Sequence, residues 1–395
     1  MMETVFYPLA AHGRNYPKPV VPLLPSASWD GWSSRKSVFA ESAFLACGTS
    51  FIRGRYALAE AMRRSGAGIG KRVLLPAFHC RAIVEPVLYL GAQPCFYPVT
   101  ADLQPDFAAL AALADNGDMP VAAMVMTHYF GFPNDVGCAE QFCVAHRIAL
   151  IEDCAHALYG RAGGQLLGAT GSYAVASIWK FLPSRDGGLL LDNTGAKNAH
   201  RPAQSMLAEA KAVAAMLQDG CRRTWRHNSL PVIDVSEIGR QAALVAAHAE
   251  VHAAEPGLKE FTPHLFEWAA LRSSRWLMKH ATHERIARRR RENYLRWLEG
   301  MQSVPGAHPL FPDLPEDVVP YAFPLLTDTK GMAFHLLKSA GIPMWRWEDM
   351  AVTDCPVANG YRLRLLQLPC HQELRSDELD WMIRTVQSLL TESIT

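Results

Sequence analysis

The sequence predicts an α/β protein with a mostly parallel central sheet flanked by helices and a smaller α+β domain near its C-terminal end. Short apolar runs of strand length alternate with helical patterns through the first half of the chain, which is the order typical of a parallel sheet. Several of these runs end abruptly in polar residues, at the edge where open α/β sheets bind their ligands. The length of 395 residues exceeds one ordinary core, so we expect two domains.

We divide the chain into three segments. Residues 1–35 contain five prolines and little periodicity, which predicts an extended N-terminal arm. Residues 36–254 form the predicted large domain, and residues 255–395 form the predicted small domain.

The composition argues against several classes of function. A formal net charge of +1 offers no electrostatic attraction for nucleic acid or an anionic membrane, and no apolar run approaches membrane-spanning length. The nine cysteines form no C-x-x-C pair, which suits a reducing compartment. The first residues lack the features of a signal peptide, so we expect a cytoplasmic protein.

The predicted elements of the large domain alternate along the chain. Ala57, Leu58, Ala61 and Met62 have helical spacing, whereas apolar runs bounded by polar residues mark the strands. In order, we predict a helix that starts at Gly54-Arg55 within residues 50–62, a strand over 73–75, a helix over 83–90, a strand over 94–99, a helix over 107–114, a strand over 121–127, a helix over 134–146 and strands over 148–151, 173–179 and 187–192. The Ala-rich residues 199–254 are expected to be helical, with a break at 222–228.

The C-terminal part mixes helices and strands. We predict helices over 282–298, 332–340 and 377–390 and strands over 319–326 and 362–368. The four consecutive arginines at 288–291 are expected on a solvated helix face rather than at an anion site. His280 and His283 could ligate a metal, but no nearby cysteine or carboxylate pattern supports this, and we predict no metal.

An acid and a lysine follow two of the predicted strands. Asp153 comes after the run at 148–151, and Lys180 stands at the end of the run at 173–179. Taken singly, such an aspartate usually caps a turn or helix, and such a lysine is usually exposed. Together they are what a pyridoxal phosphate (PLP) site requires, because the carboxylate keeps the pyridine nitrogen protonated and the lysine forms the imine.

A predicted helix start supplies a candidate phosphate site. Gly54 and Arg55 follow Arg53 at this start, where free backbone N–H groups next to a guanidinium attract a phosphate. An ordinary helix start with a surface arginine is an equally good interpretation of these residues.

The two strand ends resemble those of a known family. Residues 147–160 (RIALIEDCAHALYG) are similar to the I-E-D-x-A-Q-A-x-G strand end of the DegT/StrS-type aminotransferases, PLP enzymes of fold type I that mostly act on nucleotide-linked keto-sugars. The resemblance implies that Asp153 pairs with the pyridinium and that His156, at the usual Gln position, lies beside the ring hydroxyl. Residues 177–180 resemble the S-x-x-K spacing of fold-type-I enzymes more broadly, which implies that Ser177 binds phosphate and that Lys180 forms the Schiff base.

Other segments extend the resemblance over most of residues 40–390. Residues 76–80 (PAFHC) resemble a run whose aromatic ring covers one face of PLP, a role that we assign to His79, with Phe78 and Cys80 as alternatives. Residues 128–133 (HYFGFP) resemble the H-x-Y/F-G-x-P loop, and we place His128 and Tyr129 at the substrate. In the C-terminal domain, residues 341–347 and 366–369 resemble the A-G-I and L-x-L-P segments, and Arg346 is the expected cation on the substrate side.

Some positions depart from the family pattern. Residues 53–55 (RGR) replace an N-G-T-type triplet, and residues 183–188 (PSRDGG) differ from the usual Gly-rich tail. The resemblance implies a ping-pong aminotransferase, which takes an amino donor and a small-molecule substrate in active sites shared across a homodimer. Two alternatives stay open: another PLP chemistry, such as a dehydratase or an amino-acid-modifying enzyme, and a non-catalytic homologue. The lysine favours transamination, because a histidine replaces it in the dehydratase relatives.

Overall fold

A computed structural model of the chain describes residues 4–10, 16–27, 42–196, 200–225, 230–248, 251–253, 257–329 and 331–392. Its strands are β1 (Leu9–Ala10), β2 (Thr49–Phe51), β3 (Arg72–Pro76), β4 (Gln93–Tyr97), β5 (Val121–Thr127), β6 (Ala149–Cys154), β7 (Arg161–Ala162), β8 (Gln165–Leu166), β9 (Tyr173–Ser177), β10 (Gly188–Asp192), β11 (Val251–His252), β12 (Ala307–Pro309), β13 (Ala322–Thr327) and β14 (Leu365–Pro369).

The helices lie between and beyond these strands. They are α1 (Phe44–Cys47), α2 (Gly54–Arg64), α3 (Arg81–Tyr89), α4 (Phe107–Asp115), α5 (Val136–His146), α6 (Met206–Trp225), α7 (Val235–Ala247), α8 (Arg272–His280), α9 (His283–Met301), α10 (Met332–Ser339), α11 (Pro356–Arg364) and α12 (Ser376–Glu392). No helix in the described ranges is both long and apolar enough to cross a membrane.

Seven strands form the central sheet, in the order β2-β10-β9-β6-β5-β3-β4. The strands from β9 to β4 are parallel, whereas β10 runs antiparallel to both of its neighbours. Every residue of β3 and β9 is buried, as expected for parallel strands that helices cover on both faces. The predicted mostly parallel sheet is confirmed, and its carboxyl edge carries the turns that follow β5, β6 and β9.

A smaller antiparallel sheet, ordered β12-β13-β14, lies in the C-terminal part with α9, α10 and α12. Trp297 of α9 is fully buried and stacks on Phe323 of β13, so helix and sheet share one apolar core. The N-terminal arm contacts this region, because Val20 N–H donates to the Gly341 carbonyl. Residues 28–41 and 254–256, which contain both predicted domain boundaries, lie outside the described residues, so those boundaries stay predictions. Parts of the predicted arm and of the break at 222–228 also lie outside them.

Several predicted elements are corrected. The strand predicted over 173–179 ends at Ser177, and a 3-10 turn, Ile178–Lys180, follows it. The strand predicted over 362–368 begins only at Leu365, because α11 starts at Pro356, a favoured first helical residue, and continues to Arg364. The arginine run is only partly solvated. Arg290 is fully buried, whereas the Arg288 side chain is 60% exposed.

Candidate active site

A cavity of about 470 Å³ opens at the carboxyl edge of the central sheet. Seven of the predicted site residues line it: Arg53, Gly54, Arg55, Asp153, His156, Ser177 and Lys180. They come from the start of α2 and from the ends of β6 and β9, strands that are neighbours in the sheet. The parallel register therefore brings together residues that lie far apart in the chain.

Asp153 and Lys180 form the charged centre of the cavity. Burial raises the pKa of Asp153, although Lys180 and the Ala155 N–H, which donates to Asp153 Oδ1 at 3.0 Å, oppose the shift. Burial lowers the pKa of Lys180, while Cys80 and Asp153 raise it and Arg55 lowers it further. A lysine with a lowered pKa is more often the neutral amine that attacks a carbonyl.

The start of α2 and the end of β9 lie against each other beside this centre. Arg53 caps α2 without a side-chain hydrogen bond to the first turn, which leaves that turn able to bind an anion through its backbone. A Cβ built on Gly54 would lie 3.7 Å from Ser177 Oγ, so the hydroxyl adjoins the helix start. A Cβ on Gly188 would lie 2.3 Å from the Arg53 carbonyl, so only glycine permits this close approach of β10. These donors fit a phosphate group.

The two arginines of the RGR segment have different surroundings. The Arg53 guanidinium lies over the Trp179 ring, 5.0 Å from its centroid, and Trp179 also lines the cavity. Arg55 forms an ion pair with Glu260 at 2.6 Å. Both arginines therefore hold positive charge at the cavity wall.

His156 is a buried, neutral ring at the floor of the cavity. Burial lowers its pKa well below the usual range, and the charge of Lys180 lowers it further. Its ring stacks on Tyr321 with centroids 4.3 Å apart. Lys180 Nζ lies 5.5 Å from the centroid of the same tyrosine ring, so His156 and Lys180 share one aromatic wall.

His79 does not line the cavity. Its Nδ1 lies 2.9 Å from the Ala77 carbonyl, and its Nε2 accepts a hydrogen bond from the Ala351 N–H at 3.0 Å. The ring stacks on Phe96. Its hydrogen bonds hold His79 in the core, so the structure does not bring it to the cavity, and its role as the ring-covering residue stays a prediction. Cys80 is the residue of that run that lines the cavity.

His128 and Tyr129 also belong to the core rather than to the cavity wall. His128 Nε2 lies 3.1 Å from Glu152 Oε2, and its Nδ1 accepts from the Asn134 N–H. Tyr129 donates its hydroxyl proton to the Phe78 carbonyl at 2.5 Å. These buried groups are satisfied by the fold, so the structure does not bring them to the cavity, and their contact with the substrate stays a prediction.

His128, Glu152 and Cys154 lie close enough together to suggest a metal site. The Glu152 carboxylate, however, already accepts hydrogen bonds from the N–H groups of Gly168, Thr170 and Gly171 and contacts His128. These hydrogen bonds show that the Glu152 carboxylate fixes the loop at 168–171.

Arg346 lies outside the cavity. Its guanidinium binds Glu348 Oε1 at 2.7 Å, donates to the Leu363 carbonyl and covers the Phe334 ring. Together these groups hold Arg346 away from the cavity in the C-terminal part of the chain, so its role as a substrate cation stays a prediction.

Two aromatic residues of the cavity wall were not predicted as site residues. Trp347 packs on Phe78 and His156, with ring centroids 5.0 and 5.5 Å apart, and lines the cavity together with Trp179. The W-R-W sequence at 345–347 contains the signal, but only the fold shows which of its residues faces the cavity.

Comparisons with known proteins agree with this geometry. Residues 39–215 match the model of the DegT/DnrJ/EryC1/StrS aminotransferase family. Over 375 residues, covering 90% of this chain and 89% of the relative, the chain is 26% identical to the UDP-N-acetyl-3-dehydro-alpha-D-glucosamine 3-aminotransferase of Acidithiobacillus ferrooxidans.

Two solved structures have a similar fold. Helicobacter pylori PseC, an aminotransferase involved in the biosynthesis of pseudoaminic acid, superimposes with a TM-score of 0.63 at 16% identity, covering 88% of this chain and 87% of that one. The PLP form of Spr1654 from Streptococcus pneumoniae gives a TM-score of 0.63 at 17% identity, covering 95% and 99%. The predicted resemblance to this family and the predicted fold class are confirmed.

Proposed function

We propose that the chain, whose residues 39–215 match the DegT/DnrJ/EryC1/StrS aminotransferase family, is a PLP-dependent aminotransferase for a nucleotide-linked keto-sugar or a related small ketone. One observation carries the proposal. A lysine with a lowered pKa and a partly buried carboxylate meet in a cavity that also contains a helix start suited to phosphate.

Each proposed role follows from the contacts of the residue. When bound, PLP supplies an electron sink for the bonds of the amino donor. Lys180 would hold the cofactor and move a proton, because its lowered pKa increases the share of the neutral amine. Asp153 would bind the pyridinium nitrogen, and this partner would favour the charged carboxylate. The start of α2, with Arg53, Arg55 and Ser177, would hold the phosphate, and neutral His156 would bind the ring hydroxyl.

A second cavity supports a large substrate. It measures about 570 Å³ and shares Leu24, Trp179, Ser184 and Arg185 with the first cavity. Arg222 lies at its wall and suits a phosphorylated group, whereas Arg223 of the same wall pairs with Glu378. The Acidithiobacillus relative is named for a UDP-linked keto-sugar, and two adjoining cavities leave room for the sugar and its nucleotide.

We also propose a cytoplasmic homodimer with active sites shared between subunits. Exposed apolar side chains on α6, including Met206, Leu207 and Leu217, are consistent with a protein interface there. Sedimentation of the purified protein tests the dimer, and a monomer at micromolar concentration would contradict it.

The decisive experiment separates transamination from other PLP chemistries. Purified protein loaded with PLP is treated with excess glutamate, and then with glutamine, aspartate or alanine. We expect one donor to remove the visible absorption band of the bound cofactor and to yield its 2-keto acid at one equivalent per site. A keto-sugar nucleotide should then restore the band. If no amino acid removes the band, the dehydratase or amino-acid-modifying alternative replaces the proposal, and failure to bind PLP at all would indicate a non-catalytic homologue.

A further inference from the structure

The turn that carries Lys180 ends in two carbonyls that require hydrogen-bond donors. The turn Ile178–Lys180 is a single 3-10 turn, and the last carbonyls of such a turn have no partner within it. Two side chains from the C-terminal part of the chain supply the donors. Arg290 Nη2 donates to the Lys180 carbonyl at 3.0 Å, and Gln372 Nε2 donates to the Phe181 carbonyl at 2.8 Å.

These two side chains are joined to each other. Arg290 Nε donates to Gln372 Oε1 at 3.0 Å. Arg290 Nη1 donates to the carbonyls of Pro320 and Tyr321 at 3.2 and 2.9 Å, and Tyr321 forms the wall shared by Lys180 and His156. One guanidinium therefore connects the lysine turn, the aromatic wall and the C-terminal domain.

The burial of this pair makes its geometry rigid. Arg290 has no exposed surface, and Gln372 is 2% exposed. The guanidinium also lies over the Phe181 ring, 4.5 Å from its centroid. Arg290 makes four hydrogen bonds through its planar guanidinium, which loses little freedom for each bond formed, so these bonds restrict the position of the Lys180 backbone.

The geometry points to Arg290 and Gln372 as positioning residues for Lys180. They act on its backbone rather than on its amine, and they place the lysine for covalent attachment of the cofactor. This inference rests on the proposed function, in which Lys180 holds PLP. It assigns to the C-terminal domain a direct part in building the active site of the large domain.

The test separates covalent attachment from simple binding. Full-length Arg290→Met, Gln372→Leu and wild-type proteins are mixed with PLP, trapped with borohydride at timed intervals and digested, and the peptide containing Lys180 is quantified by mass spectrometry. Binding of pyridoxamine 5'-phosphate, which cannot link to lysine, is measured on the same proteins. The matched control is Arg288→Met, because Arg288 lies on the same helix and pairs only with Glu292 at the surface.

We expect attachment to slow about tenfold in Arg290→Met, the effect of losing a charge-assisted hydrogen bond, while pyridoxamine 5'-phosphate binding stays unchanged. Gln372→Leu should slow attachment less, and Arg288→Met should match the wild type. Attachment at the wild-type rate, or an equal weakening of attachment and binding, would overturn the inference. If Arg290→Met does not fold, Gln372→Leu decides by the same criteria. Absence of trapped Lys180 in the wild type would instead contradict the proposed function.

Discussion

Two parts of the same sheet edge use polar residues in opposite ways. At the ends of β6 and β9, Asp153, Ser177 and Lys180 face the cavity. At the ends of β3 and β5, His79 and His128 turn into the core, where main-chain groups and Glu152 satisfy their ring nitrogens. A position at the carboxyl edge is therefore not sufficient for a site residue. The hydrogen bonds available to the side chain decide whether it serves the cavity or the fold.

Glu152 and Asp153 show this difference within one strand. Neighbouring strand residues point to opposite faces, so Asp153 reaches the cavity and Glu152 reaches the loop at 168–171. Their pKa values shift in opposite directions. Burial raises the pKa of Asp153. Burial acts the same way on Glu152, but its bond to His128 and the N–H groups of Gly171 and Gly168 outweigh it and lower the pKa.

The largest effect is expected at Lys180. Lys180→Ala removes the amine that holds the cofactor, so both turnover and the visible absorption band should be lost while the protein stays folded. Absorption spectra measure the visible band, and circular dichroism shows whether the protein is folded. Lys211→Ala on exposed α6 is the control, and a normal visible band in Lys180→Ala would remove Lys180 from its role.

The second largest effect is expected at Asp153. Asp153→Asn loses the charge-assisted bond to the pyridinium, and turnover should fall by at least about 100-fold, as for other preorganised charges. Because the raised pKa means that folding disfavours this charge, the melting temperature should not fall. Steady-state kinetics and thermal melts measure the two effects. Turnover within a few-fold of the wild type would place Asp153 outside the reaction.

For Glu152 we expect the reverse of Asp153, because its replacement should lower the stability of the protein. Glu152→Ala leaves four donors without an acceptor and should cost roughly 3–5 kcal/mol of unfolding free energy, measured by denaturant titration. In the wild type, a lowered folded pKa means that this stabilisation is present above the ordinary value of 4.5 and is lost as the pH falls below it. An unchanged unfolding free energy would show that Glu152 does not fix the loop.

The smallest effect is expected at Tyr129. Tyr129→Phe leaves the buried Phe78 carbonyl without its donor and should cost about 1–3 kcal/mol of unfolding free energy. PLP affinity should stay the same, because the hydroxyl points into the core. A weakened PLP affinity with normal stability would indicate that Tyr129 acts in the active site.

Most of the site could be predicted because its residues lie next to strand or helix ends in the sequence. Asp153, His156 and Ser177 lie in or directly after β6 and β9, and Gly54 starts α2. Short apolar runs locate strand ends to within a few residues, and the parallel register then brings these ends to one edge. The roles of these residues remain proposals.

The sequence by itself determined the alternating α/β order, the family resemblance and the pair of Asp153 and Lys180, because these depend on local patterns. The tertiary structure alone decided which way the intervening side chains face. The Ala351 N–H donates a hydrogen bond to the His79 ring. Arg290, which belongs to a run of four arginines, donates a hydrogen bond to the Lys180 carbonyl. Such contacts join residues more than 100 positions apart, and their hydrogen bonds depend on how the domains pack. No local spacing encodes that packing.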